Sequence, residues 1–270
     1  MIPAARWHAA LSRGPFDPMI AALMPRGPAP RLSIVVPAFN ESKLIESCLE
    51  TLTRALEAAG VAREAYECIV VDNNSTDDTA TRAAQFGARV LSEPIRQIAR
   101  ARNKGGYAAR GRWILFLDAD SWPDSALIRD LLQAMDDPEI AGGGALLQMR
   151  QLPPLLRLGV GVWNRLSRRM RWAAGSFIFC TRDAFEAVNG FDDSLFVGEE
   201  ISFCRRLKRY LRWRGQRLVI LSRHPLRTSG RKGELYSQGE IFRVGLRILR
   251  HPRRFFRDPA LCTLWYDGRR

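Results

Sequence analysis

Apolar residues along this chain follow two alternating rhythms. Residues 32–36, Leu-Ser-Ile-Val-Val, form a short, mostly apolar run stopped by Pro37, the pattern of a strand buried on both faces. Leu44, Ile45, Cys48, Leu49, Leu52, Ala55, Leu56 and Ala59 then recur at helical spacing. They predict an amphipathic helix with Asn40 as N-cap and Gly60 as stop. The alternation repeats as a strand over 66–71, a helix opened by a Ser75–Asp78 capping box and ending near Gly87, a strand over 88–91, a helix over 96–109 closed by Gly111, and an apolar strand over 113–117. Beyond that point the pattern loosens. A strand over 140–149 runs through Gly142-Gly143-Gly144, where missing side chains predict close backbone approach. A basic amphipathic segment over 155–172, a strand over 175–180, a helix over 199–213, a strand over 217–221 and a basic helical tail over 242–256 complete the series.

Strand and helix in alternation, with short connections, imply an α/β fold: a mostly parallel central sheet with helices on both faces. Residues 1–31, rich in Pro and Gly, are expected to form an arm. The domain then covers 32–230, in halves 32–120 and 121–230, and a basic tail occupies 231–270, expected as a helix that docks on membrane or domain. Ligands of such sheets bind at the carboxyl ends of strands. There lie Asn40 and Glu41 after the first strand, Asp72 after the second, and Asp118 and Asp120 after the fourth.

Composition changes this picture in one respect. The formal net charge is +14, which suits an anionic partner such as nucleic acid, a membrane surface or a phosphorylated substrate. The excess is concentrated late: from Arg150 through Arg182, both included, there are seven arginines and no acid. Cys48, Cys68, Cys180, Cys204 and Cys262 have neither metal-ligand nor redox spacing, as expected of reduced, buried thiols in a cytoplasmic protein. No apolar run is long enough to cross a membrane, and charges break any leader-peptide core near the N-terminus.

Two carboxylates on the tight turn Asp118-Ala119-Asp120, after a strand buried on both faces, are costly unless a positive charge neutralises them. Oxygen-rich turns suit Mg²⁺ or Mn²⁺, although a bare Asp-x-Asp is also an ordinary surface turn. Here the motifs carry a family resemblance. Val-Val-Pro-Ala-Phe-Asn-Glu at 35–41, Val-Val-Asp-Asn-Asn-Ser-Thr-Asp-Asp-Thr at 70–79, Ala-Arg-Asn-Lys-Gly at 101–105 and Leu-Asp-Ala-Asp at 117–120 resemble, in order and spacing, the family 2 glycosyltransferases. These are inverting enzymes of the GT-A fold, and the likeness spans about residues 32–225.

The resemblance implies a nucleotide half at 32–120 and an acceptor half at 121–230. Pro37, Ala38, Asn40 and Glu41 would line the nucleotide pocket, with Asn74 nearby, and Asp72 would bond the base, by default uracil. Arg102 and Asn103 would lie near the nucleotide and phosphates, Asp118 with Ala119 would meet the ribose, and Asp120 would hold Mn²⁺ or Mg²⁺ under the diphosphate. Asn40 and Ser75 can cap helices and bind at once, since helix N-termini favour anions. The family's second acidic pair, Glu-Asp, has its counterpart in Glu199-Glu200, with Glu200 as the preferred general base and Glu199 the alternative. The Glu in place of Asp is a departure from the family pattern. Arg227, Ser229 and Arg231 belong to a donor-rich stretch that would close on the diphosphate or be an ordinary basic loop. His224 would be a metal ligand, as in some relatives, or structural.

The expected activity is transfer of a sugar from a nucleotide-diphosphate donor, a UDP-sugar by default, to a hydroxyl of an acceptor that is lipid-linked or a glycan. The basic segment 155–172 and the tail would dock peripherally on an anionic membrane at its inner face. Two other readings are a glycosyltransferase-like binding protein without activity and a nucleotidyltransferase. The second lacks its Gly-rich, Lys-containing loop after the first strand. A nucleic-acid protein is excluded, because no such module is present and the strand-end acids would repel phosphate.

Overall fold

The first strand explains the rest. In β1 (Leu32–Ala38) every residue is buried. Ile34 and Val36 enter one core, while Val35, between them, enters the other. A strand covered on both faces reads as an unbroken apolar run. The structure is a computed structural model that describes residues 29–149, 154–229, 256–258 and 261–262. The expected arm, apart from its last three residues, the tail helix over 242–256, apart from Phe256, and Arg231 lie outside the described residues.

β1 is flanked by β2 (Tyr66–Asp72) and β4 (Trp113–Leu117), and β2 by β3 (Arg89–Ser92), all parallel. The crossovers are α1 (Ile45–Ala58), α2 (Thr79–Gln85) and α3 (Ile98–Ala108). α1 buries Ile45, Cys48, Leu49 and Leu52 in one core. α3 buries Ala99 and Ala101 in the other, beside Phe185, Phe191 and Phe203.

The second half turns the sheet antiparallel. β7 (Phe177–Thr181) runs against β4, and β6 (Ile140–Met149) against β7. β8 (Arg217–Thr228) runs parallel to β6, and β5 (Ser121–Trp122) caps the edge. The order is β3-β2-β1-β4-β7-β6-β8-β5. The glycines of β6 meet the expectation of close approach: a Cβ on Gly143 would lie 1.9 Å from the Val219 carbonyl oxygen. α4 (Ser125–Asp136), α5 (Pro154–Met170), α6 (Arg182–Ala187) and α7 (Glu199–Arg212) complete the layers.

Three sequence expectations need correction. Asn40 does not cap α1; that helix starts at Ile45 with Leu44 at its N-cap, while Asn40 takes a left-handed φ of 51°. Ser75 and Asp78 form no capping box, because Ser75 accepts the Asn40 N–H and Asp78 caps α2 without a side-chain bond. β8 continues to Thr228, seven residues beyond the expected end, so Arg227 and Thr228 are strand residues rather than loop. α4 was not anticipated, although Leu127, Ile128, Leu131, Ala134 and Met135 have helical spacing and Asp124 accepts the Leu127 N–H at 2.9 Å.

Candidate active site

The carboxyl ends of β1, β2 and β4 share one edge of the sheet, and each is fixed by short polar contacts. At the first two, side chains take the place of a ladder. The Asn40 N–H donates to Ser75 Oγ at 3.0 Å, and Asn40 Oδ1 accepts the Thr76 N–H at 2.8 Å. The Glu41 N–H donates to Thr79 Oγ1, whose own hydroxyl donates to Asp77. Asp77 also accepts the Ser42 N–H at 3.2 Å. Its carboxyl is held below the ordinary range: burial, the largest single influence, pushes it up, but the hydrogen bonds from Thr79 and Ser42 together outweigh that. Asp72 accepts the Ser75 N–H at 3.2 Å and remains half-buried at the strand end. Asn74, exposed at φ 66°, lies in the loop after β2. Pro37, Ala38 and Glu41 are buried beneath them.

The Asp118–Asp120 turn is pinned in part through its backbone. The Asp118 carbonyl accepts the Ser121 N–H at 3.1 Å and, from below, the Cys48 thiol at 3.7 Å. The Asp120 carbonyl accepts the Ser229 N–H at 3.0 Å, and Ser121 Oγ donates to Thr228 Oγ1 at 3.1 Å. Ala119 is buried between the two acids. The end of β8 therefore lies against the acidic turn, which places Ser229 beside Asp120 and Arg227, exposed, opposite Trp122. His224 sits further back on β8 and pairs with Asp130 of α4 at 3.0 Å.

The second acidic pair opens α7. Arg102, only 1% exposed, joins it to the first. Its guanidinium donates to Glu199 at 2.6 Å, to Asp118 at 3.1 Å and to the Gly175 carbonyl at 3.0 Å. Burial opposes the charged guanidinium, but Asp118, Glu199 and Glu200 together raise its pKa above the ordinary value. Glu199 is pushed up to about 8, chiefly by burial and then by the Glu200 charge, with Arg102 pulling the other way. Glu200, beside it in the first turn of α7, is half-buried. Helix N-termini favour negative charge at this position.

Asn103 takes both its bonds from backbone: Oδ1 accepts the Phe191 N–H at 2.7 Å and Nδ2 donates to the Phe191 carbonyl at 2.9 Å. The resemblance put Arg102 and Asn103 near the ligand. In the fold both also brace the approach to α7, Arg102 through Glu199, Asp118 and Gly175 and Asn103 through the Phe191 backbone.

Sequence reasoning overlooked three supports. Asn73 donates to the carbonyls of Glu93 and Ile95 at 3.1 and 2.6 Å. Gln97 holds the carbonyls of Asp193 and Leu195 at 2.6 and 3.0 Å. Arg96 lies 3.8 Å from the ring centroid of Phe39. None belongs to an acidic pair, so a search for paired charges passes over them.

A divalent metal fits this chemistry. Among the described residues no three His, Cys, Asp or Glu side chains converge as a metal cage. Mg²⁺-type ions in phosphate-transfer sites use one or two carboxylates and take their remaining oxygens from phosphates and water. The Asp118–Asp120 turn offers a donor set of that kind.

Comparisons with known proteins agree with this architecture. The glycosyl transferase family 2 model matches residues 33–148. A Mycobacterium tuberculosis glycosyltransferase is 36% identical over 105 residues, covering 39% of this chain and 44% of that one. The dolichyl-phosphate beta-glucosyltransferase of Drosophila melanogaster is 37% identical over 103 residues, 34% of this chain and 32% of that one. The chain thus spans less than half the length of these relatives. Among solved structures, a mannosyltransferase from Pyrobaculum calidifontis in complex with GDP-Man and Mn²⁺ superposes with a TM-score of 0.61 at 19% identity, covering 87% of this chain and 65% of that one. Glucosyl-3-phosphoglycerate synthase from Mycobacterium tuberculosis, in complex with Mn²⁺, uridine-diphosphate and glucosyl-3-phosphoglycerate, gives 0.52 at 22% identity, covering 72% of this chain and 70% of that one. Residues 33–148 are thus similar to glycosyl transferase family 2, and the chain shares the GT-A fold of these solved glycosyltransferases.

Proposed function

We propose that the protein is an inverting glycosyltransferase that moves a sugar from a nucleotide-diphosphate donor to an acceptor hydroxyl. The observation that carries this reading is the Arg102 bridge. Bonds of 3.1 Å to Asp118 and 2.6 Å to Glu199 tie the strand-end acids and the α7 acids into one site. Neither acidic pair alone would suffice, since transfer needs a donor holder and a base facing each other.

The loops after β1 and β2, with Pro37, Ala38, Asn40, Glu41 and Asn74, cradle the nucleoside, and Asp72 faces the base. A UDP-sugar is the first candidate donor. Asp118 and Ala119 meet the ribose, and Asp120 holds Mn²⁺ or Mg²⁺. When bound, that ion neutralises charge on the departing diphosphate. Arg227 and Ser229, beside the same turn, are placed to add donors, with Arg231 following in sequence.

Glu200 accepts the proton of the acceptor hydroxyl as its oxygen attacks the anomeric carbon. The bond from that carbon to the diphosphate breaks on the opposite face, so configuration inverts. Glu199, buried and hydrogen-bonded to Arg102, positions rather than reacts.

A panel of nucleotide-sugars with Mn²⁺ or Mg²⁺, followed by thermal shift, tests this reading. The true donor raises the Tm by mass action and releases nucleoside diphosphate on turnover. If no donor shifts the Tm in either metal, the reading fails.

A further inference from the structure

α5 has a face that the fold does not use. Its inner side is fully engaged: Val160 and Trp163 pack on the core, and Asn164 exchanges two hydrogen bonds with the backbone of Leu147, at 3.1 and 2.9 Å. Ser167, buried, donates to the Trp172 carbonyl at 2.7 Å. On the other side Leu158, Val162, Leu166 and Met170 are 65%, 61%, 40% and 37% exposed. They recur every fourth residue, so they form one stripe along the helix. Isolated exposed apolar residues are ordinary, but a continuous stripe on one helix marks a contact surface. Arg157, Arg165, Arg168 and Arg169 of the same helix are all exposed, with Arg165 and Arg169 beside the stripe.

We propose that α5 is an interfacial helix that lies flat on an anionic lipid bilayer, with the Leu158–Met170 stripe in the acyl boundary and the arginines on the headgroups. The shape and charge fit that partner: apolar stripe, basic flank, and no acid between Arg150 and Arg182. No helix among the described residues is long and apolar enough to span a membrane, so the contact is lateral. A second copy of the chain is disfavoured as occupant, because the arginine rows would face each other on two bodies each carrying +14.

The helix is coupled to the site at both ends. The last residue of β6, before α5, pairs with Thr228, next to the backbone contact with Asp120. After α5, the Gly175 carbonyl holds Arg102, and the Lys208 ammonium of α7 donates to the Met170 carbonyl. Docking would therefore bring the acceptor side of the site close to the bilayer surface. Resting on the transferase reading, this makes a lipid-linked hydroxyl the acceptor class.

The test is co-sedimentation of the full chain with vesicles of phosphatidylcholine alone or mixed with phosphatidylglycerol, at about 0.15 M salt. Wild-type protein should bind only the mixed vesicles. Val162→Asp/Leu166→Asp should weaken binding by about tenfold or more. Arg165→Gln/Arg168→Gln/Arg169→Gln should weaken it by about fivefold per arginine removed. Equal or no binding to both vesicle types overturns the proposal. So does unchanged binding by both variants, which would put the contact on the basic tail, or a wild-type dimer that Val162→Asp/Leu166→Asp dissociates without affecting lipid binding. The donor-induced thermal shift of each variant is measured in parallel. Its retention shows that the fold and donor site are intact, while its absence in wild type would sink the transferase reading and leave the lipid result standing.

Discussion

The two halves of the sheet solve different problems. The half from β1 to β4 is parallel, with β1 and β4 buried on both faces, and ends in loops locked by side chains such as Ser75, Thr79 and Asp77. The half from β5 to β8 is mixed, has a long strand reaching the surface, and carries a helix with an apolar face outward. The family match covers 33–148 and stops where β6 ends. A nucleotide-diphosphate is a common ligand and suits a rigid cradle, whereas acceptors differ. On the proposed reading, binding of the shared part is built into strand ends, while the variable part is left to elements that need only pack on one side. Arg102, from the first half, is the tie between them.

The largest effects should come from the carboxylates assigned to each half. Asp120→Asn should lower transfer by about 10²–10³-fold and remove metal dependence, measured by release of nucleoside diphosphate. Glu200→Gln should lower transfer by about 10²–10⁴-fold yet keep the donor-induced thermal shift, since it acts on the acceptor. Equal loss of donor binding in both variants would erase the distinction between the halves.

Cutting the tie should come next. Arg102→Met leaves Glu199 buried without its partner and should cost about 3–5 kcal/mol in urea unfolding. Adding Glu199→Gln should recover part of that. If the two substitutions simply add, the bridge is not what joins the halves.

A smaller, pH-dependent effect follows from Glu199. Its carboxyl rises from an ordinary 4.5 to about 8 in the fold, so the folded state binds the extra proton between those values. Stability should then fall as pH rises through that window. Comparing Tm at the two ends, wild-type protein should show a steeper decline than Glu199→Gln. The smallest effect is expected from Asp77→Ala, about 1 kcal/mol or less because the group is exposed, with weaker donor binding as the loops after β1 and β2 loosen.

Much of the first half was legible because its signals are local. A strand covered on both faces has to be apolar throughout, as Trp113–Leu117 is, and its polar successors Asp118 and Asp120 stand out by contrast. The second half was harder to read because its strands pair out of sequence order: β7 inserts between β4 and β6, and β8 reaches across to β5. Nothing local in Arg227-Thr228 announces a strand, since its partner is a two-residue segment after the acidic turn. The roles of Arg102 and Asn103 were invisible for a similar reason. Each is polar in sequence, and only the fold brings Glu199 and Phe191 to them.

The thiol of Cys48 beneath the Asp118 carbonyl offers a clock for the site. It is fully buried, and burial, with Cys68 next, raises its pKa far above the ordinary thiol value. A thiol-specific reagent can reach it only when α1 parts from the acidic turn, so its labelling rate reads the frequency of that local opening. Ligands that clasp the turn should slow the clock, and the degree of slowing would measure how firmly the site is held shut during each binding event.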